Sequence, residues 1–336
     1  MRLRIATFNI RNTTDRYGER EPLLKTCVST LNADLLALQE VNFSNNQDTS
    51  LLGDGDVGIH ELHPNRKAAL EEQGLRGSWV FRALVDRPMV KADDPTFRID
   101  GNAILLPRPS FTKVTAHQTL ALSCDRVAQV LDVSLTPTLS TSCSSSVFLV
   151  RFVNLHLHHV IEDAQERTNQ VRSVLRWLES QQGKGLQPHL TIVAGDFNAN
   201  PSEEAYQLMK EQGFSSLFQV FNGKEPDRTF PTQLRASTMD TDPAGCFDYI
   251  WISSTLGNAS PTTATVGGKS EQEGNCAAQS GVNAGYSISQ QRKSRRAVQV
   301  RSVELVGKEF DSVEFDLGAS DHYGICADLE VSVVDI

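Results

Sequence analysis

No stretch of the 336 residues is apolar over anything near the roughly 20 positions that a membrane-spanning helix needs, so a helical membrane protein is excluded. The opening segment, MRLRIATFNI, lacks the apolar run and small-residue cleavage site of a secretory signal, and an intracellular setting, cytoplasmic or nuclear, is expected. Cysteine is scarce and scattered. None of Cys27, Cys124, Cys143, Cys246, Cys276 and Cys326 forms a C-x-x-C pair, and Cys27 and Cys326 fall inside apolar patterns that suit small buried thiols, which points to a reducing compartment. Positive charge is also short. Lys and Arg number 32 against 41 Asp and Glu, a net charge of −9, which disfavours a non-catalytic nucleic-acid binder but not a nuclease that works with its own cations. The one basic cluster, QRKSRRAVQVR at 291–301, reads as a solvated loop.

What is present is a soluble composition, 39% hydrophobic and 22% charged, with no internal repeat. LRIATFNI reads as a first strand, and Leu24, Cys27, Val28 and Leu31 then follow at helical spacing, which predicts a helix over 22–32 with Pro22 in its first turn. DLLALQEV, WVFRALV, GNAILL, RVAQVLDVSL, VFLVRFVNLHL, LTIVAG, FDYIWI and YGICADLEVSV read as further strands. Two more helices are signalled, one over 162–179 with Glu162 and Asp163 at its start, and one capped by Ser202 and stopped by Gly213. Three tracts, 42–66, 136–146 and 254–300, read as loops or insertions in a single domain spanning 1–336.

The informative regularity is where polar residues fall. Asn9 ends LRIATF, Gln39 and Glu40 end DLLAL, and Asn154 and His156 come late in VFLVRFV. Asp196 and Asn198 follow LTIVAG, Asp248 opens YIWI, and Asp321 and His322 open YGICADL. An Asn or Asp at one strand end is ordinary turn chemistry. Six strand ends carrying groups that cost several kcal/mol to bury unpaired suggest one shared site. Carboxylates, amides and two histidines without paired cysteines make a hard, oxygen-rich donor set of the kind that holds Mg²⁺ or Mn²⁺. A histidine with a carboxylate neighbour supplies a general base, and metal, base and neutral donors together suit phosphoester hydrolysis.

TFNIR, LQE, GNAIL, NLH, GDFN, TFP, DYIW and SDH stand in an order and approximate spacing that resemble the endonuclease/exonuclease/phosphatase superfamily, whose fold is that of deoxyribonuclease I. The resemblance runs from residue 3 to about 332 and implies an α+β fold: a four-layer α/β/β/α sandwich of two packed mixed β-sheets flanked by helices. It implies a Mg²⁺-dependent phosphoric ester hydrolase, with Mn²⁺ able to substitute, acting as a monomer on a phosphate ester, nucleic acid among the candidates. Glu40, Asn9 and Asp321 correspond to the metal-binding residues. Asp248 corresponds to the residue that orients His322, and Asp196 and Asn198 to the pair that positions the nucleophile. His156 matches the imidazole on a non-bridging phosphate oxygen, and Asn102 and Asn154 match substrate-binding positions. Either Asp196 or His322 takes the water proton.

Other readings have specific sequence tests. His156 and His158 share a strand face, as in zinc hydrolases with an H-x-H-x-D motif, but the expected Asp is Val160. A scaffold that had lost catalysis would lack a ligand position, and here each is filled. The abasic-site repair branch carries Asp two residues after the Asn9 position, whereas this chain has Arg11. The loops lack the basic and aromatic density of a dedicated nucleic-acid channel. The balance favours a phosphodiesterase on a small or single-stranded substrate, with lipid or inositol phosphate as the alternative.

Overall fold

The structure, a computed structural model, describes residues 1–52, 57–62, 78–84, 100–107, 112–135, 147–185, 187–236, 242–254, 294–310 and 317–335. Thirteen strands form among them: β1 (Arg2–Asn9), β2 (Leu35–Asn42), β3 (Val57–Leu62), β4 (Ser78–Leu84), β5 (Asp100–Leu106), β6 (Thr112–Leu122), β7 (Arg126–Leu135), β8 (Phe148–His156), β9 (Leu190–Asp196), β10 (Ser215–Ser216), β11 (Asp248–Ser254), β12 (Ser294–Val306) and β13 (Gly324–Asp335). The helices are α1 (Tyr17–Leu31), α2 (Gln47–Ser50), α3 (Ala164–Ser180), α4 (Glu204–Glu211) and α5 (Leu217–Asn222). One mixed sheet has the order β12-β13-β1-β2-β5-β4-β3, the other β10-β11-β9-β8-β7-β6.

Alternation along the strands builds the layers, because successive side chains leave a strand on opposite faces. Leu3 and Ile5 of β1, Leu35 and Ala37 of β2, Val150 and Phe152 of β8, Ile192 and Ala194 of β9 and Ile250 of β11 share one fully buried cluster between the sheets. The opposite parity of the first sheet, Ala6, Phe8, Leu36 and Leu38, packs against Leu24, Cys27, Val28 and Leu31 of α1. On the second sheet, Val153, Val193 and Trp251 pack against Val171 and Val174 of α3 and Ala205 and Met209 of α4. The result is the four-layer α/β/β/α sandwich. Among the described residues no helix is long and apolar enough to cross a membrane.

The inner-facing parity continues past the apolar stretch at one end of the sandwich. After Leu3 and Ile5 it reaches Thr7 and Asn9; after Val150 and Phe152, Asn154 and His156; after Ile192 and Ala194, Asp196. β1 and β2 run parallel, as do β8 and β9, so these polar ends lie at one edge. β11 and β13 run antiparallel to their neighbours and bring their first residues there, Asp248 opposite Asp196 and Ile325 opposite Thr7.

Several sequence expectations need correction. α1 begins at Tyr17, five residues before Pro22, which therefore lies inside the helix. α4 starts at Glu204 with Glu203, not Ser202, at its cap position. The tract 42–66 is not simply an insertion: it holds the end of β2, α2 and the edge strand β3. Gln47 and Asp48 of α2 are buried, and Asp48 pairs with Arg82 of β4 at 2.6 Å. Of the tract 254–300, residues 294–300 belong to β12, so most of the basic cluster read as a loop is a strand paired with β13. The tract 136–146 and residues 255–293 lie outside the described residues.

Candidate active site

Glu40 reaches the edge through a break in β2. The pairing of β2 with β5 shifts register between Leu38 and Val41, and Glu40 takes φ 55°, a left-handed conformation that non-glycine residues rarely adopt. This bulge lets Gln39 keep its inward direction, on Thr7 and Asn154, while Glu40 turns its carboxylate into a cavity of about 500 Å³. Asn9 clips that carboxylate to the next: its Nδ2 donates to Glu40 Oε1 at 3.1 Å and to Asp196 Oδ2 at 2.9 Å, while its Oδ1 accepts from the backbone N–H of Arg11 at 3.0 Å. Asn12 Nδ2 donates to Glu40 Oε2 at 3.3 Å.

Asp196 ends β9 where Gly195 has φ 144°, and a Cβ on Gly195 would stand 2.0 Å from the Leu155 carbonyl oxygen. Only glycine lets β9 approach β8 this closely, which brings Asp196 beside His156. The other Asp196 oxygen accepts from the backbone N–H of Asn198 at 2.8 Å, and Asn198, with φ 48°, donates Nδ2 to the Leu157 carbonyl at 3.1 Å. Thr229 of TFP holds the adjacent strand end, its Oγ1 accepting from the N–H groups of Phe247 and Asp248 at 2.8 and 3.1 Å.

His322 Nδ1 lies 2.9 Å from Asp248 Oδ2, and its Nε2 lies 3.7 Å from Asp196 Oδ2. Burial alone would lower the His322 pKa, but Asp248 and Asp196 outweigh it and raise it well above the usual value. Burial, with Asp248 adding to it and His322 opposing, pushes the Asp196 carboxyl up to about 7. Burial and then the Asp321 charge also raise Glu40. His156 behaves oppositely. Burial and the charge of Arg126 hold it well below the usual value, so it is a neutral imidazole near pH 7. Arg126 Nη1 sits 3.1 and 3.4 Å from the two ring nitrogens of His156, against the ring instead of in line with one nitrogen. His156 Nε2 lies 3.8 Å from Asp196 and 4.0 Å from Glu40.

Glu40, Asn102, His156, Asp196, Asn198, Asp321 and His322 all line the cavity. Asn9 and Asp248 stand behind it, in contact with Glu40, Asp196 and His322. Asn154 does not reach it. This side chain is fully buried between the sheets, with Nδ2 donating to the carbonyls of Leu38 and Ala103, each at 3.0 Å, and Oδ1 accepting from Gln39 at 2.7 Å. Its assignment as a substrate-binding residue is replaced by a structural one, a tie between the two sheets. The sequence reading missed Asn12 and Arg126 as wall residues, and it noted Arg11 only as a departure from one branch of the family. Arg11 and Asn12 sit just beyond the end of β1 and Arg126 opens β7, each in a short polar run without a pattern of its own.

The residues fit a divalent cation. The Glu40, Asp196 and Asp321 carboxylates line the cavity, and Asp321 Oδ2 is buried without a hydrogen bond. Like charges at Asp321 and Glu40 raise the latter's pKa, a cost that a bound cation would relieve. The ligand atoms of Asp196, Asp248 and His322 lie within 4.8 Å of one another, so this buried group could also hold an ion. Its His322 Nδ1 is already engaged by Asp248, an arrangement that suits proton handling better.

Comparison with known proteins shows the same fold elsewhere. The catalytic domain of human Nocturnin with bound sulfate superposes with a TM-score of 0.58 at 18% identity, covering 98% of this chain and 95% of that one. D. rerio TDP2 complexed with single strand DNA product gives 0.57 at 16% identity, covering 98% and 99%. An endonuclease/exonuclease/phosphatase from Bacteroides vulgatus gives 0.56 at 16%, covering 99% and 100%. No curated protein sequence matches. These likenesses share the fold, and the family model matches residues 6–322, which contain every candidate site residue. The chain belongs to the endonuclease/exonuclease/phosphatase family.

Proposed function

We propose that the protein is a Mg²⁺-dependent phosphodiesterase, with Mn²⁺ able to replace Mg²⁺. The observation that carries this is the convergence, on one cavity, of the Glu40 and Asp321 carboxylates, the neutral His156, and the His322–Asp248 pair 3.7 Å from Asp196. Glu40 and Asp321 would hold the metal, and Asn9 and Asn12 orient Glu40. When bound, the ion would supply Lewis-acid stabilisation of charge on the phosphoryl oxygens. His156, neutral and held by Arg126, would donate a hydrogen bond to a non-bridging oxygen. Asn198 and Asn102 would contact the phosphate or its substituent. Asp196, with its carboxyl near neutrality, is suited to accept the proton of the attacking water, and His322, kept cationic by Asp248 and Asp196, to stabilise charge developing on the phosphate.

A diester fits better than a monoester because the cavity wall is mixed. Glu40, Asp125, Asp196, Asp242 and Asp321 face it alongside Arg11, Arg126 and four histidines, so extra substrate charge meets carboxylates as readily as cations. The TDP2 structure with a single strand DNA product makes a single-stranded nucleic acid end one substrate to test. Lipid and inositol phosphates are the second class. The test is hydrolysis with Mg²⁺ of single- and double-stranded DNA, RNA, sphingomyelin and inositol phosphates. Turnover of a nucleic acid or small diester supports the proposal, and turnover of inositol phosphate monoesters alone overturns it.

A further inference from the structure

We propose that Arg20 of α1, which does not line the cavity, is a positioning residue that fixes the Glu40 and Asp321 carboxylates relative to each other and so sets the site's affinity for its divalent ion. The inference rests on the metal-dependent reading above and adds to it what holds the two ligand-bearing segments together. Glu40 is tied to the loop after β1 by Asn12. The Asn12 backbone N–H donates to the Glu40 carbonyl at 2.8 Å, and its Nδ2 donates to Glu40 Oε2 at 3.3 Å.

That loop is gathered around the Arg20 guanidinium, which is fully buried. Its Nε donates to the Asp15 carbonyl at 2.7 Å, and its Nη2 donates to the carbonyls of Arg11, Asn12 and Thr14 at 3.0, 3.3 and 2.8 Å. Nη1 spans the two segments. It donates to the Ile10 carbonyl, just past β1, at 3.2 Å and to the Ala319 carbonyl, two residues before Asp321, at 2.9 Å. A continuous path therefore runs from Glu40 through Asn12 and Arg20 to Ala319 and Asp321. Ser320 Oγ adds a separate tie by donating to the Asn9 carbonyl at 2.7 Å, but it joins this segment to β1 and not to the loop that holds Glu40.

The task calls for a guanidinium. Arginine carries five N–H donors in a rigid planar fork, and here every nitrogen of the fork is engaged by carbonyl oxygens; lysine has three N–H donors at one point and cannot serve both segments and the loop. The loop is shaped to match. Arg11, Asn12, Asp15 and Arg16 all take positive φ, which persists in such residues only where surrounding contacts over-determine it. The first three turn their carbonyls onto the Arg20 side chain, and the Arg16 carbonyl accepts the Arg20 backbone N–H at 3.1 Å. The Arg20 charge also reaches the site: burial lowers its pKa, and Asp321, followed by Asp15, is the strongest charge opposing that fall.

The test is the dissociation constant of Mn²⁺ on the full chain without substrate, read by electron paramagnetic resonance for the wild type and Arg20→Lys, with circular dichroism to confirm folding. Loss of a group that orients metal ligands from outside typically weakens metal binding by about 10–100-fold, and that loss is expected for Arg20→Lys. A folded Arg20→Lys that binds Mn²⁺ as tightly as the wild type would overturn the proposal, even with a lower urea midpoint, because Arg20 would then only support the fold. Should Arg20→Lys fail to fold, the wild type carries the test. Coupling is reciprocal, so saturating Mg²⁺ should slow exchange of the Arg20 Nε–H with solvent, followed by nuclear magnetic resonance. An exchange rate unchanged by Mg²⁺ would overturn the proposal. Failure of the wild type to bind Mn²⁺ would be a different result: it would remove the metal-dependent reading and this inference with it.

Discussion

Replacing Asn154 with Ala separates a structural tie from a substrate contact. The side chain makes three short buried hydrogen bonds: to the Leu38 and Ala103 carbonyls at 3.0 Å each, and from Gln39 at 2.7 Å. Ala removes all three at once. Gln39 keeps its bond to Thr7 at 3.1 Å, so the uncompensated loss falls mainly on the two carbonyls. Leaving a buried polar group without its partner costs about 1–3 kcal/mol, so Asn154→Ala should destabilise by roughly 2–5 kcal/mol. That is a large part of the total for a fold stable by about 5–15 kcal/mol. Urea unfolding should show a lower midpoint with an unchanged slope, while KM stays at the wild-type value for the molecules that remain folded. An unchanged midpoint with a raised KM would refute the structural assignment and return Asn154 to the substrate.

Two further predictions concern stability. Asp48→Ala should cost about 3–5 kcal/mol because it leaves Arg82 buried beside α2 without its carboxylate; a loss within about 0.5 kcal/mol would mean α2 adds nothing to the sheet it packs on. In metal-free protein the folded state keeps a proton on Asp196 up to about pH 7, whereas the unfolded carboxyl releases it near 3.8. The folded state therefore holds more protons across that window, and stability falls as pH rises through it. The raised His322 acts in the same sense at higher pH, its contribution present below about 6.5 and lost as pH rises through its raised value. His156, held well below its usual value, acts in the opposite sense up to about 6.5, so urea midpoints measured in EDTA from pH 5 to pH 8 should fall more, or rise less, in the wild type than in Asp196→Asn. Equal slopes in the two proteins would contradict the burial-driven shift.

Much of this site was legible because strand alternation is so regular. Once Leu3 and Ile5 are inner-facing, Thr7 and Asn9 must be, and the same parity carries Ile192 and Ala194 on to Asp196. What stayed hidden departs from that periodicity. Glu40 is legible as a site residue, but the bulge inside LQEV and the left-handed turn that aims its carboxylate leave no mark in the residue types. Asn154 obeys the parity that marks the site residues, yet it stops one position short of the cavity and is consumed by backbone carbonyls of the facing sheet. β12 was lost because RKSRR carries too much charge for a buried strand; it forms at a sheet edge by pairing with the apolar β13. Arg11 and Asn12 reach the cavity wall from a loop of left-handed residues that no local pattern announces.

The central claim is that Glu40 and Asp321 hold a divalent ion against a phosphodiester. It is tested most directly by the rate of bis-p-nitrophenyl phosphate hydrolysis as a function of Mg²⁺, for the wild type and for Glu40→Gln. The wild type should be inactive in EDTA and rise to saturation with Mg²⁺, whereas Glu40→Gln, which keeps its shape and loses its charge, should remain lower by about 10²-fold or more at saturating metal. Near-wild-type turnover by Glu40→Gln, or full wild-type activity in EDTA, would contradict the account.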